Sequence, residues 1–277
     1  MIYISKHTNQ LCNRLFTYLP VISYALEAGE PVCFLFQYEK YDAFFPNLKI
    51  EGIESHFKEK SLNPGLACKL FNASVRALDK IVHLVLRPGE KIPLKKPLGC
   101  LFNPKWKEVR YDKAYIAKHA DKLRFLFTPT AEVCDTVTRM LATDEDVVTV
   151  GVHIRGGDYR TYLGGRYFYE PAIYREYMSQ MAALLAAEGK RVRFLVCTNE
   201  PLTPAHFEGL QVLQQAGIDM MVDLYGLSQC DYIMGPPSTF SQWASFYGKT
   251  PLRVLASADE QLSLDEFKRV VALDTFE

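Results

Sequence analysis

Several familiar signatures are missing from this chain. No Gly-x-Gly-x-x-Gly and no Gly-x-x-x-x-Gly-Lys-[Ser/Thr] occurs, which excludes the usual dinucleotide fingerprint and the P-loop. The seven cysteines, at 12, 33, 68, 100, 134, 197 and 230, are odd in number and none is paired as Cys-x-x-Cys. They read as reduced thiols of a cytoplasmic protein, not as a disulfide frame or zinc site. No apolar run approaches the ~20 residues of a membrane span. Met1–Lys6 runs into a strand pattern without signal-peptide architecture, so the expected location is the cytoplasm. Net charge is zero, which argues against a nucleic-acid partner.

That zero hides an asymmetry. Residues 66–125 carry 14 Lys/Arg against 5 Asp/Glu. Leu66–Leu86 has an apolar stripe (Leu66, Leu70, Phe71, Val75, Leu78) with Lys69, Arg76 and Lys80 off it, the pattern of a basic amphipathic helix. Such a helix is either core with solvated lysines or a contact with anionic membrane, so segment 66–96 is the candidate for peripheral attachment to the inner membrane face.

At 277 residues the chain fits two compact domains of about 130 residues each. The boundaries expected are an α/β domain over 1–143, a second over 144–257, and a closing helix in 258–277 (Leu262 to Val271). In the first half, a strand at Met1–Ser5, a helix at Leu11–Ala28 stopped by Gly29, and a strand at Pro31–Phe36 form a β-α-β pattern. Pro20 predicts a kink or the start of a second helix. The first turn carries Asn9, Gln10, Asn13 and Arg14, side chains suited to hydroxyls or phosphate; Asn13 reads equally as a helix cap. Thr143-Asp-Glu-Asp146 contains Asp-x-Asp spacing, but it enters a strand instead of leaving one, and reads as a solvated turn.

The second half is organised around Val147–Asp158. Its β-branched run predicts a strand buried on both faces of a parallel sheet. It ends in His153-Ile-Arg155-Gly156-Gly157-Asp158, where open α/β sheets bind ligands. Arg155 offers a charged planar fork that fits phosphate, or braces the loop through Asp158. Beyond it the pattern predicts a helix at Pro171–Glu188, a strand at Arg191–Cys197, a helix at Pro204–Ala216 leading to Met220-Met-Val222, a short helix at 223–229, a strand at 231–234 and a helix at Phe240–Tyr247. The strand ends carry Thr198-Asn199-Glu200 and Gly235-Pro-Pro-Ser238-Thr239, which share one sheet edge with Arg155. Ser238 and Thr239 open a helix, an anion site by geometry and dipole; Ser238 is also a plain N-cap. Arg155 opposite that helix makes a diphosphate clamp.

Gly151–Tyr159 resembles the His-x-Arg-Arg-x-Asp motif of inverting GDP-fucose-dependent fucosyltransferases, particularly bacterial alpha-1,2-fucosyltransferases. Asp223–Ala244, with Ser-Thr-Phe-Ser-Gln-Trp, resembles their second motif, and Asn9–Phe16 a degraded form of their N-terminal loop. The resemblance implies a GT-B architecture, two Rossmann-like domains facing a cleft, with donor in the C-terminal half and acceptor largely in the N-terminal half. It implies transfer of fucose from GDP-fucose to a glycan or lipid-linked glycan hydroxyl, with inversion and no metal. By position, Arg155 would hold the β-phosphate, His153 and Asp158 shape the donor pocket, and Ser238, Thr239 and Phe240 line the phosphate and nucleoside side. Asn13 would face the cleft from the other domain; Thr198, Asn199 and Arg14, read from their strand-end and first-turn positions, are further candidates for binding the donor. The motif's second arginine is Gly156 here, which leaves Arg14 or Arg160 to replace the charge. Two alternatives stay open: a nucleotide-sugar or glycan-binding protein without turnover, and a polysaccharide-assembly enzyme using another nucleotide sugar. Asp158, Glu200 and His153 are the candidate bases.

Overall fold

The computed structural model describes residues 2–4, 10–35, 43–51, 53–56, 113–144, 146–213 and 219–277, with four positions at 70, 73, 74 and 77. It divides into two compact units, Met1–Thr130 and Ala131–Glu277.

In the first unit, strand β1 (Ile2–Ile4), helix α1 (Leu11–Ala28) and strand β2 (Val32–Leu35) form the β-α-β pattern expected, and β3 (Glu54–His56) extends the parallel sheet in the order β1-β2-β3. Helix α1 runs through Pro20 and stops at Gly29, which takes the left-handed conformation (φ 64°) that suits glycine. Its N-cap is Gln10, so Asn13 lies inside the first turn and is not the cap. The α1 side chains Leu11, Leu15, Phe16, Leu19 and Ile22 are buried, and Tyr18 packs on Phe34 of β2 at 4.7 Å. The basic segment 66–96 lies outside the described residues except for Leu70, Ala73, Ser74 and Ala77, which are helical. Among the described residues no helix is long and apolar enough to cross a membrane.

The second unit starts earlier than the expected boundary at 143/144. Helix α2 (Ala131–Leu141) belongs to it because it packs on α4 (Met220–Ser228). Its final carbonyls at Leu141 and Ala142 accept from the buried Arg193 guanidinium, which also donates to Thr149 Oγ1 at 2.9 Å. That charge offsets the negative end of the helix dipole.

The parallel sheet of this unit contains β4 (Val147–Ile154), β5 (Arg191–Thr198), β6 (Val212–Leu213), β7 (Tyr232–Gly235) and β8 (Leu252–Val254), in the order β6-β5-β4-β7-β8. Strand β4 is central, and Val150 and Val152 are fully buried. Helix α3 (Pro171–Ala187) covers it with Tyr174, Tyr177, Met178 and Met181. Its Pro171 start and a left-handed Gly189 just beyond its end (φ 74°) follow the sequence signals.

Two expectations are corrected. Of the helix expected at 204–216, residues 214–216 lie outside the described residues; up to 213 the chain makes a single 3-10 turn, Pro204–Phe207, and then β6, with Gly209 at φ 86° ending any helical path. The short helix expected at 223–229 is α4, which starts three residues earlier, at Met220, because the Asp219 side chain accepts from Met221 N at 2.7 Å. The closing helix at 262–271 is also absent. The chain makes a 3-10 turn at Leu264–Glu266 and an antiparallel hairpin, β9 (Val270–Ala272) and β10 (Thr275–Phe276). The adjacent Val270 and Val271 favour strand. The hairpin is stitched to α5 (Thr239–Gly248) by Asp274 on Gln242, at 2.8 and 2.9 Å, so 258–277 is part of the second unit and not a separate helix.

Candidate functional site

The strand order places the two conspicuous motifs side by side. Connections run from β4 outward to β5 and β6, then return to β7 and β8 on the other side of β4. The order reverses between β4 and β7, and the crevice beyond such a reversal is where open α/β sheets bind ligands. His153-Ile-Arg155-Gly156-Gly157-Asp158 leaves β4 there, and Gly235-Pro-Pro-Ser238 leaves β7.

The two strands meet closely. A Cβ on Gly235 would lie 2.6 Å from the His153 carbonyl oxygen and 3.0 Å from the His153 Cβ. Glycine is what permits this approach. His153 is itself buried, 4% exposed, and its ring packs on Phe240 at 5.0 Å. Burial, reinforced by the Arg155 charge, pushes its pKa down to about 3, so the imidazole is neutral at physiological pH. Its Nδ1 is buried with no hydrogen-bond partner among the described residues.

Arg155 is one-fifth exposed and forks Asp158, through Nε to Oδ1 at 3.0 Å and Nη2 to Oδ2 at 3.3 Å. Both readings of this arginine are therefore compatible. Asp158 fixes the plane of the guanidinium, while a guanidinium has five N–H donors and Nη1 carries two of them. Across the crevice, Ser238 caps α5, its Oγ accepting from Phe240 N at 3.2 Å. The remaining first-turn N–H groups and the helix dipole favour an anion at this end. Thr239 and Phe240 form the first turn itself.

The end of β5 behaves differently. Asn199 Oδ1 accepts from Gly156 N at 2.9 Å, and Glu200 Oε1 from Gly157 N at 2.7 Å. Thr198 Oγ1 accepts from Glu200 N at 3.1 Å. These side chains brace the Gly-Gly turn, so its two N–H groups are already used. Glu200 also pairs with Arg160 at 3.0 Å, and that guanidinium sits 4.2 Å from the Phe168 ring centre. Hydrogen bonds from Arg160 and Gly157 hold the Glu200 pKa below the ordinary carboxylate value. A Cβ on Gly156 would fall 2.1 Å from the Glu200 carboxyl carbon, so this carboxylate fills the space where a second motif side chain would emerge.

Asn13 and Arg14 lie on α1 in the first unit, Arg14 being 2% exposed; Asn9 lies outside the described residues. The Asp-x-Asp turn sits at the opposite sheet edge, where exposed Asp144 meets Arg191 at 3.2 Å. One group escaped the sequence reading. Asp223, in the first turn of α4, lies beside the end of β5, where Cys197 Sγ approaches its carbonyl at 3.8 Å. Burial raises its pKa to about 7. Its only sequence signal was its position at the head of the second motif.

No family model matches the chain, and no curated protein matches it. Solved structures do. The chain is similar to NodZ, an alpha-1,6-fucosyltransferase soaked with GDP-fucose, at 15% identity over 96% of this chain and 96% of that one, with a TM-score of 0.51. A further structure of NodZ, from Bradyrhizobium, gives 15% identity, 96% and 95% coverage and a TM-score of 0.50. POFUT1 in complex with GDP-fucose gives 9% identity, 92% and 95% coverage and a TM-score of 0.50.

The fold is that of these fucosyltransferases.

At such low identity the likeness concerns the fold, and the residues at the switch point carry the rest of the argument.

Proposed function

We propose that this protein is a glycosyltransferase that moves fucose from GDP-fucose to a hydroxyl of a glycan acceptor, with inversion and without a metal ion. The observation that carries the reading is the placement of Arg155 and the N-terminus of α5 at the ends of adjacent strands, where the strand order reverses. The NodZ and POFUT1 structures of the same fold were solved with GDP-fucose.

In this reading the acceptor oxygen attacks the anomeric carbon as GDP departs. Positive charge grows on the sugar and negative charge on the leaving diphosphate. The guanidinium of Arg155 and the α5 N-terminus neutralise the diphosphate, and they act more strongly in the transition state than on bound donor. Asp158 keeps the guanidinium from rotating. Of the candidate bases, His153 and Glu200 are both held at low pKa, which makes them weak proton acceptors. Asp158, the third, is engaged by Arg155. Leaving-group departure therefore carries the larger share of catalysis, and the proton of the acceptor hydroxyl is lost late, to the departing diphosphate or to solvent. The reaction is assigned to the cytoplasm, with the basic segment 66–96 as the part suited to an anionic membrane surface.

The test is a thermal-shift panel followed by turnover. GDP should stabilise the protein well beyond UDP or ADP, and GDP-fucose should release GDP faster with a suitable glycan than without. Inversion is read from the anomeric configuration of the product, and metal independence from unchanged turnover in EDTA. A protein indifferent to GDP sinks the reading. A second reading, a nucleotide-sugar binder without turnover, is favoured by one observation: Glu200 fills the space beside Gly156. GDP binding with no release under any acceptor would support it.

A further inference from the structure

The Arg155 turn and the α5 turn are separate loops, yet a diphosphate clamp needs them at a fixed spacing. Tyr159 joins them by a hydrogen bond. Tyr159 lies in the 3-10 turn Gly157–Arg160, held by its N–H on the Gly156 carbonyl at 3.1 Å. Its hydroxyl donates to the Pro237 carbonyl at 2.5 Å, across the crevice between β4 and β7. Pro237 directly precedes Ser238, the α5 N-cap. The same ring lies 5.6 Å from the Arg155 guanidinium carbon and 5.6 Å from the Tyr162 ring centre.

Tyr159 thus touches both halves of the clamp. Pro236 and Pro237 have fixed φ and no N–H, so the β7 turn is stiff and offers carbonyls but few donors. A phenol is a rigid strut with a donor at its tip. Burial raises its pKa, so it stays a donor across the neutral range.

We propose that Tyr159 is a positioning residue that sets the span between Arg155 and the N-terminus of α5, and thereby the site's preference for two linked phosphates over one. The proposal rests on the functional reading above and deepens it.

The experiment compares GDP and GMP affinity by calorimetry in wild type, Tyr159→Phe, Arg155→Ala and the double variant. Tyr159→Phe removes one hydroxyl and keeps the ring. GDP affinity should fall about five- to tenfold, the scale of one well-placed hydrogen bond, while GMP affinity stays near the wild-type value. In the double variant, GDP affinity should be no weaker than in Arg155→Ala alone, because the strut has nothing left to position. The GDP-to-GMP ratio does not depend on the folded fraction, so partial unfolding leaves it readable. Equal losses for GDP and GMP, no loss of GDP affinity, or additive effects in the double variant overturn the proposal. Wild-type protein that ignores GDP refutes the functional reading and this inference together. Wild type that binds GDP, with an unchanged ratio in Tyr159→Phe, refutes the inference alone.

Discussion

Replacing Arg155 by alanine separates its binding role from its bracing role. The stability cost can be bounded first. The partner carboxylate, Asp158, is 58% exposed in its side chain, so the ion pair contributes about 0–1 kcal/mol. The contact with the Tyr159 ring at 5.6 Å adds about 0.5–1 kcal/mol. Asp158 keeps its water when left alone, so no buried charge is stranded. A total of about 0.5–2 kcal/mol lowers the melting temperature by about 1–8 °C in a unit of this size, at roughly 2–4 °C per kcal/mol. The binding cost is larger. A charge-assisted hydrogen bond to phosphate contributes about 1.5–3 kcal/mol, which is roughly 10- to 150-fold in affinity. The assay is calorimetric titration of GDP into both proteins, beside a melt of each without ligand. The expected result is a folded variant that has lost most of its GDP affinity. An Arg155→Ala protein that melts near wild type and binds GDP as tightly would refute the clamp. Arg155→Lys should recover only part of the affinity, since an ammonium keeps the charge and loses the fork.

Gly235→Ala places a methyl 2.6 Å from the His153 carbonyl, backbone that cannot step aside, and should cost about 1–3 kcal/mol with a parallel loss of GDP affinity; thermal melts and titration check both. Gly156→Ala must evict the Glu200 carboxylate, so its destabilisation should shrink when combined with Glu200→Ala, and melts of the single and double variants that simply add would contradict that coupling. Asp223 gives a pH signature. Its pKa is raised from the ordinary 3.8 to about 7, so between those values the folded chain holds a proton that the unfolded chain has lost. Its contribution to stability therefore declines as pH rises from about 4 to 7 and then levels off. Asp223→Asn should melt above wild type at pH 8 and converge with it near pH 4; parallel curves at both pH values would remove Asp223 as a titrating group.

Much of the local structure was legible from residue order. The β-branched run at 147–150 predicted β4, Gly29 marked the end of α1, and Pro171 with Gly189 bracketed α3. These signals are local: periodicity, φ restriction and capping act over a few residues. The misreadings are local conflicts settled by distant partners. The 262–271 segment has a helix-like spacing of apolar residues, but Leu252 and the α5 side chain of Ser245 offer it backbone hydrogen-bond partners, and it pairs as extended chain. At 212–213, Val212 and Leu213 pair with Phe194 and Leu195 of β5 as a strand, and the helix expected from 223 begins earlier, at the Asp219 cap.

By itself, then, the order of residues determined that a cation, a carboxylate and a capped helix would all lie at carboxyl ends of parallel strands. It could not determine which of those ends are neighbours. Only the tertiary structure decided that β4 adjoins β7, that Asn199 and Glu200 turn onto the Gly156–Gly157 backbone, and that Tyr159 reaches Pro237. The physical reason is that strand order and cross-loop hydrogen bonds join residues far apart in the chain. Their energies depend on which surfaces meet, and no short stretch of sequence contains that information.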